Sequence, residues 1–178
     1  MNLPQVGKAL TVAALAAFAA NNAYAATQGT LGATSQGTLD ITLTINNLVQ
    51  ISALDDIALG AYTGVANMTG VDDLCVYSNT GAYRITATGN GAGSAFHLIG
   101  PASAAVPYTV EWADAAGAGT GDILTTNTPL TGQSGTITTP NCNGGNNARV
   151  LVTVNSTDLA PAPAGSYAGV LTLVVAPE

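Results

Sequence analysis

The sequence predicts an all-β protein folded as an antiparallel sandwich. Short segments that alternate apolar and polar residues recur at intervals of about 8–12 residues, with Gly, Asn and Pro between them. After residue 25, no segment has sustained helical periodicity with capping residues. Charged residues make up only 7% of the chain, against about 25% in an ordinary globular domain, and Thr, Asn, Ser and Gly carry the polarity. No repeat of fixed period favours a solenoid or a propeller.

Residues 1–25 have the composition of a signal peptide. Lys8 precedes the apolar run TVAALAAFAA, and Ala23, Tyr24 and Ala25 form a cleavage site of the small-residue type. The apolar run is too short for a membrane span, and no later run of about eighteen apolar residues follows it. We therefore expect an exported chain of one domain, without a membrane span, that begins near residue 26.

The segment GTLGATSQGTLDITLTI, residues 29–45, alternates over an unusual length. Its even positions hold no large apolar residue, so an extended chain would have one apolar and one polar face. Typical strands are about 5–6 residues long. The pattern predicts one long strand, and by itself it does not say which strand is the partner. The apolar face consists mainly of Leu31, Ala33, Leu39, Ile41, Leu43 and Ile45.

The next two segments predict three further strands. NNLVQISALDDIALGAYTG holds two short apolar runs, which we interpret as two strands separated by a turn at Asp55 and Asp56. In AYRITATGNGAG, the side chains of Tyr83, Ile85 and Ala87 share one face, and the Gly-rich end forms a hairpin turn.

The second half of the chain mixes strong and weak strand signals. SAFHLIG and VPYTVEWAD predict strands, the latter with Tyr108, Val110 and Trp112 on one face. The Gly-, Thr- and Asn-rich stretch that follows predicts only short strands, near 123–124 and 136–138. ARVLVTVNSTDL and SYAGVLTLVVAP predict the last two strands, and the prolines of APAPAG separate them.

Two cysteines, Cys75 and Cys142, predict one structural disulfide. An exported chain passes through an oxidising compartment, which favours the bond. It would close a long loop and contribute roughly 4 kcal/mol by the chain-entropy model. A reactive thiol or metal-binding pair is the less favoured interpretation, because no metal-ligand spacing accompanies the cysteines.

The charge balance excludes partners that carry many negative charges. Only Arg84 and Arg149 are basic after residue 25, against ten acidic residues, and the whole chain has a formal net charge of −7. We therefore expect no nucleic-acid binding and no attraction to anionic lipid. No lysine follows residue 25, so the commonest protection of exposed sheet edges is missing. Edges of this sandwich are expected to pair.

Few residues of the sequence suggest catalysis or the binding of a cofactor. His97 is the only histidine, and no G-x-S-x-G segment accompanies it, so a structural strand histidine is favoured over a catalytic one. The pairs Asp55-Asp56 and Asp72-Asp73 lack calcium-loop spacing and are predicted to be solvated turn acids. Trp112 and the tyrosines are expected to be core residues more than a sugar-binding platform. We expect no enzymatic activity, no cofactor and no metal.

Three segments together resemble a known family. The alternating segment directly after the signal peptide, the cysteine that begins CVYSNTGAYRITATGNG, and the terminal APAGSYAGVLTLVVAPE are similar to chaperone–usher pilins. The pattern is most similar to archaic fimbrial and spore-coat-protein-U-like major subunits, whose chains end on a G-x-Y-x-x-x-L-x-V type strand. Here Gly165, Tyr167, Leu171 and Leu173 occupy that pattern.

The resemblance implies an incomplete immunoglobulin-like sandwich that a neighbouring subunit completes. Residues 26–45 would be the donor segment, with Leu39, Ile41, Leu43 and Ile45 as its main apolar side chains and Leu31 and Ala33 further out. Residues 46–178 would be the pilin domain. The acceptor groove would be lined by Val150, Val152, Val154, Leu171, Leu173 and Val175.

The same resemblance implies the partners and the location. A periplasmic chaperone would fill the groove first, an outer-membrane usher would assemble the subunits, and identical subunits would form a fimbria at the cell surface that serves adhesion or biofilm formation. A single domain without a lectin-like module favours the shaft over the tip. The alternative from the residues alone is a self-contained secreted β-sandwich that binds a carbohydrate or surface ligand, with the opening strand paired to its own sheet.

Overall fold

The computed structural model describes residues 25–178, so the predicted signal peptide lies outside the described residues except for Ala25. The chain divides into two compact units, one that ends at Ile45 and one that comprises Asn46–Glu178.

The second unit is built almost entirely from β-strands. Its one α-helix, α1, is a single turn at Ser156–Leu159, and 3-10 turns lie at Ala92–Ser94, Pro101–Ser103 and Cys142–Gly144. The strands are β1 Val49–Ser52, β2 Met68–Ser78, β3 Ala82–Gly89, β4 His97–Ile99, β5 Ala105–Pro107, β6 Thr109–Ala113, β7 Asp122–Ile123, β8 Leu130–Ser134, β9 Ala148–Val154 and β10 Leu171–Pro177.

These strands form an immunoglobulin-like antiparallel sandwich, which confirms the predicted fold class. The larger sheet has five strands in the order β1-β2-β9-β6-β7, and the smaller has the order β10-β3-β8. A two-stranded ladder joins β4 and β5. Every pairing between named strands is antiparallel.

The core lies between the two sheets and follows the alternation of the sequence. Strands β3, β6 and β9 each turn every second side chain inward, and those side chains are at most 7% exposed. Tyr83 from the smaller sheet meets Trp112 from the larger sheet edge to face, with ring centroids 6.3 Å apart. The inward residues of these strands are Tyr83, Ile85, Ala87, Val110, Trp112, Ala148, Val150, Val152 and Val154.

The predicted disulfide joins Cys75 to Cys142. Cys75 is buried in β2, Cys142 begins a 3-10 turn, and their Cα atoms are 6.0 Å apart. The bond closes a loop of 67 residues and attaches the polar loop before β9 to the larger sheet.

The long opening strand is absent from the structure. Thr27 and Thr38 exchange two backbone hydrogen bonds of 2.9 and 3.0 Å, and residues 31–34 form a bend between them. Residues 39–45 have no regular secondary structure. Alternation makes a segment suitable for a sheet, but an extended segment needs a paired neighbour before its backbone forms a ladder.

Three local predictions were wrong. Asp72 and Asp73 are not in a turn: they lie in the middle of β2, the longest strand, which the acidic pair concealed in the sequence. The predicted strand near 57–61 is not paired with any strand. The strand predicted at 136–138 is replaced by β8 at Leu130–Ser134, and only Thr136 forms an isolated parallel bridge with Tyr77.

Candidate functional site: an open groove beside strand β10

A groove of about 1190 Å³ opens between the two sheets of the second unit. It exceeds the roughly 300–1,000 Å³ of ordinary small-molecule pockets. The inner faces of β2 and β9 contribute its floor, and β10 forms one wall. The unpaired segment of residues 53–62 forms the other wall, and residues 54–62 of this segment line the groove. Residues 159–170, between α1 and β10, close one end.

Strand β10 is an edge strand whose free side faces this groove. It pairs only with β3 among the named strands. The Glu178 N–H donates to the Ala82 oxygen, which fixes the alternation of the ladder. The N–H and C=O groups of Leu171, Leu173 and Val175 therefore point away from β3. Within Asn46–Glu178, no hydrogen bond reaches these groups.

The opposite wall, residues 53–62, is held by very few polar contacts. Strand β1 ends at Ser52, and Ala53 then turns the chain in a left-handed conformation with φ of 59°. The Asp55 N–H donates to Asp72 Oδ2 at 3.0 Å. This is the one hydrogen bond in Asn46–Glu178 that a backbone amide of residues 53–62 makes. The wall is thus a segment without a ladder.

Apolar packing on Gly70 positions the same wall. Gly70 lies on the inner face of β2, opposite Val152 of β9. A Cβ atom at this glycine would overlap Ile57 Cγ2 and would lie 2.9 Å from Leu59 Cδ2. The missing side chain therefore provides the notch into which Ile57 and Leu59 pack, and these two side chains are half-buried.

Asp72 is the one charged side chain of the groove that is itself buried. It is 8% exposed and lies opposite Val150 of β9. Burial raises the pKa of its carboxyl above 3.8, the Asp55 N–H lowers it, and the negative charges of Asp55 and Asp73 raise it further. Asp55 and Asp56 also line the groove, but both are exposed.

Most of the residues predicted for the acceptor groove lie together. Val150, Val152 and Val154 are in its floor, and Leu171 and Leu173 are in its β10 wall. Val175, two residues further along β10, packs against the core and does not line the groove. The structure thus brings five of the six residues to one surface.

The residues predicted for the donor segment are exposed. Leu39, Ile41, Leu43 and Ile45 are 71%, 89%, 84% and 74% exposed, respectively. Leu31 is in the bend of the segment bridged by Thr27 and Thr38, and Ala33 is exposed in the same bend. Four consecutive alternating apolar side chains in residues 39–45 therefore remain without burial.

Sequence reasoning missed the second wall and the charge beneath it. The short apolar run at residues 57–61 predicts a paired strand, and the absence of a partner is not encoded in that run. Gly70 in the middle of a strand was an available signal, because an interior glycine often marks a close approach of another segment. The burial of Asp72 had no local signal.

The other candidate sites have structural surroundings. His97 is half-buried in β4, where it pairs with Pro107 of β5. Trp112 is fully buried, so it contributes nothing to a surface platform for sugars. In residues 25–178, no three His, Cys, Asp or Glu side chains are grouped to hold a metal ion. None of the helices in the described part of the chain has the length and apolar character that a membrane span needs.

Comparisons with known proteins gave likenesses among solved structures alone. No protein-family model matches the chain. No curated protein matches it either. Among solved structures, it is similar to a chain described with the words "Chaperone-tip adhesin complex is vital for synergistic activation of CFA/I fimbriae biogenesis". The TM-score is 0.47 at 17% sequence identity, over 73% of this chain and 42% of that chain.

Proposed function

We propose that this protein is a structural subunit of an extracellular fimbria and polymerises head to tail by donor-strand exchange. Residues 26–45 of one copy are the donor segment, and the sandwich of residues 46–178 in the next copy is the acceptor. The observation that carries the proposal is the open backbone edge of β10 above an apolar groove.

The donor and the acceptor edge match in length and pattern. Strand β10 has seven residues, Leu171–Pro177, which span about 23 Å in an extended chain. Residues 39–45 are also seven in number and place an apolar side chain at every second position. Addition of a strand to an exposed edge uses main-chain hydrogen bonds for affinity and alternate side chains for specificity.

The gain from burial is large enough to hold two subunits together. Transfer of four exposed side chains, Leu39, Ile41, Leu43 and Ile45, into the groove contributes roughly 6–12 kcal/mol at about 1.5–3 kcal/mol each. The loss of entropy on association reduces this favourable free energy by several kcal/mol. A strand inserted between two sheets leaves only when the sandwich opens, so dissociation is slow.

Donation of this kind joins two different surfaces and therefore builds an open filament. A head-to-tail contact that does not close into a ring continues indefinitely. Before assembly, the open edge of β10 is an aggregation hazard. The partners that prevent this aggregation are a periplasmic chaperone and an outer-membrane usher. The chaperone fills the groove, and the usher replaces the chaperone with the donor segment of the next subunit. The subunit has a structural role in adhesion or biofilm formation and no enzymatic activity.

Electrophoresis of the unboiled secreted protein in detergent tests the proposal. Donor-strand exchange is expected to give a ladder of multimers that collapses to one monomer band on boiling. Boiled and unboiled samples of the same preparation serve as matched controls. A single monomer band in the unboiled sample would contradict the proposal and favour a self-contained secreted sandwich.

A further inference from the structure

Asp72 lies where a donor segment would cover it. It is an inward-facing residue of β2, between Gly70 and Leu74 on the same face of the strand. Its cross-strand neighbour Val150 also lines the groove. A donor placed against β10 would set apolar side chains over this floor and would remove the solvent that still reaches the carboxylate.

The charges around Asp72 do not compensate its own charge. The wall at residues 53–62 offers the carboxylates of Asp55 and Asp56. Asp73 follows in β2, but it points to the opposite face, where it pairs with Arg149. The parts of β9 and β10 that line the groove carry valines and leucines. The other ionisable side chains of the groove are the phenols of Tyr62, Tyr108 and Tyr167, and a phenol carries no positive charge that could balance the carboxylate.

We propose that insertion of a donor segment into the groove is coupled to the uptake of one proton by Asp72, so that mild acid promotes subunit assembly. This inference rests on the proposed function. The proton comes from solvent and forms one O–H bond on the Asp72 carboxylate, and no other covalent bond changes.

Two physical effects give the coupling the same sign. Burial of an ionised carboxylate under apolar side chains is unfavourable, whereas the neutral carboxyl group is buried at much lower cost. Protonation also weakens the charge-assisted hydrogen bond from the Asp55 N–H, which frees the wall at residues 53–62 to adjust to the donor. Both effects favour the donor-bound state when Asp72 is neutral.

A binding experiment with a synthetic donor measures this coupling. The acceptor is the full secreted chain with Ile41→Asp, which disables its own donor segment. The probe is a peptide of residues 29–45 with Asp40→Asn and an amino-terminal fluorophore, so the donor itself has no titrating side chain. Fluorescence anisotropy gives the affinity between pH 4.5 and 7.5 for three acceptors: the Asp72 chain, Asp72→Asn and the control Asp122→Asn, an exposed aspartate outside the groove.

The expected result is a pH dependence that only Asp72 provides. The affinity of the Asp72 chain rises as the pH falls, by at most about tenfold per pH unit for a single proton. The Asp122→Asn chain behaves in the same way. The Asp72→Asn chain keeps a hydrogen-bond acceptor for the Asp55 N–H and binds the peptide at pH 7.5 as tightly as the Asp72 chain does in acid, with little pH dependence.

Calorimetry in buffers of different ionisation enthalpy counts the protons directly. Near neutral pH, the Asp72 chain should take up close to one proton on binding the peptide, and Asp72→Asn none. Equal proton uptake by the two chains, or the same pH dependence of affinity, would overturn the inference while leaving donor exchange intact. A peptide that binds none of the acceptors at any pH would instead refute the proposed function.

Discussion

Asp72 and Asp73 are adjacent in β2, and their carboxylates lie on opposite faces of the sheet in opposite electrostatic surroundings. Asp72 faces the groove and is 8% exposed. Asp73 faces outward and forms two hydrogen bonds of 2.7 Å with the guanidinium of Arg149. Burial raises the pKa of Asp72, whereas the hydrogen bonds from Arg149 lower the pKa of Asp73 to about 2. The contribution of Asp73 to the free energy of unfolding therefore increases with pH, whereas that of Asp72 decreases.

Asp73→Asn should lower the stability of the fold at neutral pH. A carboxyl group with a depressed pKa stabilises the folded state above the unfolded value of 3.8, and this contribution disappears as the pH falls towards 2. Because the pair is partly exposed, we expect a loss of about 1 kcal/mol at pH 7. Urea unfolding at pH 7 and pH 2 measures it, with the exposed Asp122→Asn as control. A loss of the same size at both pH values would contradict the assigned cause.

Asp72→Asn should have the opposite effect. A carboxyl group with a raised pKa binds its proton more tightly in the folded state, so its stabilising contribution is complete below pH 3.8 and is lost as the pH rises through the folded value. We expect the free energy of unfolding of the variant to exceed that of the parent at pH 7, where the buried carboxylate of the parent is charged. The two chains should converge at pH 3, and a variant less stable at pH 7 would refute this account.

Tyr83→Phe tests the polar contact between the two sheets. The Trp112 Nε1–H donates to Tyr83 Oη at 3.1 Å in the buried core. Loss of the acceptor leaves a buried N–H without a partner, which typically costs about 1–3 kcal/mol. Tyr62→Phe removes a half-buried hydroxyl 3.4 Å from its acceptor, the Ser156 oxygen, and should have a smaller effect. Equal losses in urea unfolding would show that the tryptophan contact is not the cause.

Replacement of both cysteines by alanine should destabilise the second unit strongly. The Cys75–Cys142 bond closes a loop of 67 residues. The chain-entropy model assigns such a loop roughly 4 kcal/mol. We expect a large fall in thermal midpoint for Cys75→Ala/Cys142→Ala, and an equal fall for the parent after reduction. If reduction leaves the parent's midpoint unchanged, the bond does not contribute to the stability of the fold.

Ile41→Asp should block polymerisation without unfolding the acceptor. Ile41 is 89% exposed, so its replacement removes no contact from the core of residues 46–178. A charged side chain at this position cannot enter an apolar groove. The multimer ladder should disappear, while Thr42→Asp on the polar face should retain it. If the Ile41→Asp subunit fails to fold in complex with its chaperone, the segment belongs to its own core and the proposal is wrong.

The strands with regular alternation were predictable because burial enforces it. In β3, β6 and β9, every second residue is buried between the sheets, so the apolar positions in the sequence are the core positions of the structure. The failures were β2 and β8. Asp72-Asp73 interrupts the apolar pattern of β2, and β8 is mainly polar, with Gln133 as its buried residue.

The candidate site was predictable only in its apolar residues. Val150, Val152, Val154, Leu171 and Leu173 belong to strands with clear patterns, and they line the groove. The sequence gives no sign that the wall at residues 53–62 lacks a ladder, because pairing depends on a neighbour far away in the chain.

The sequence by itself determined the class of fold, the disulfide partners and the apolar face of residues 39–45, because alternation is a local property and cysteine number and composition are properties of the whole chain. Only the tertiary structure decided that β10 has a free edge, that residues 53–62 form the opposite wall on Gly70, and that Asp72 is buried between them. All three features depend on which distant segments come together. Burial of a charge and the lack of a partner at a strand edge are properties of the packed segments, and the pattern of one segment alone does not contain them.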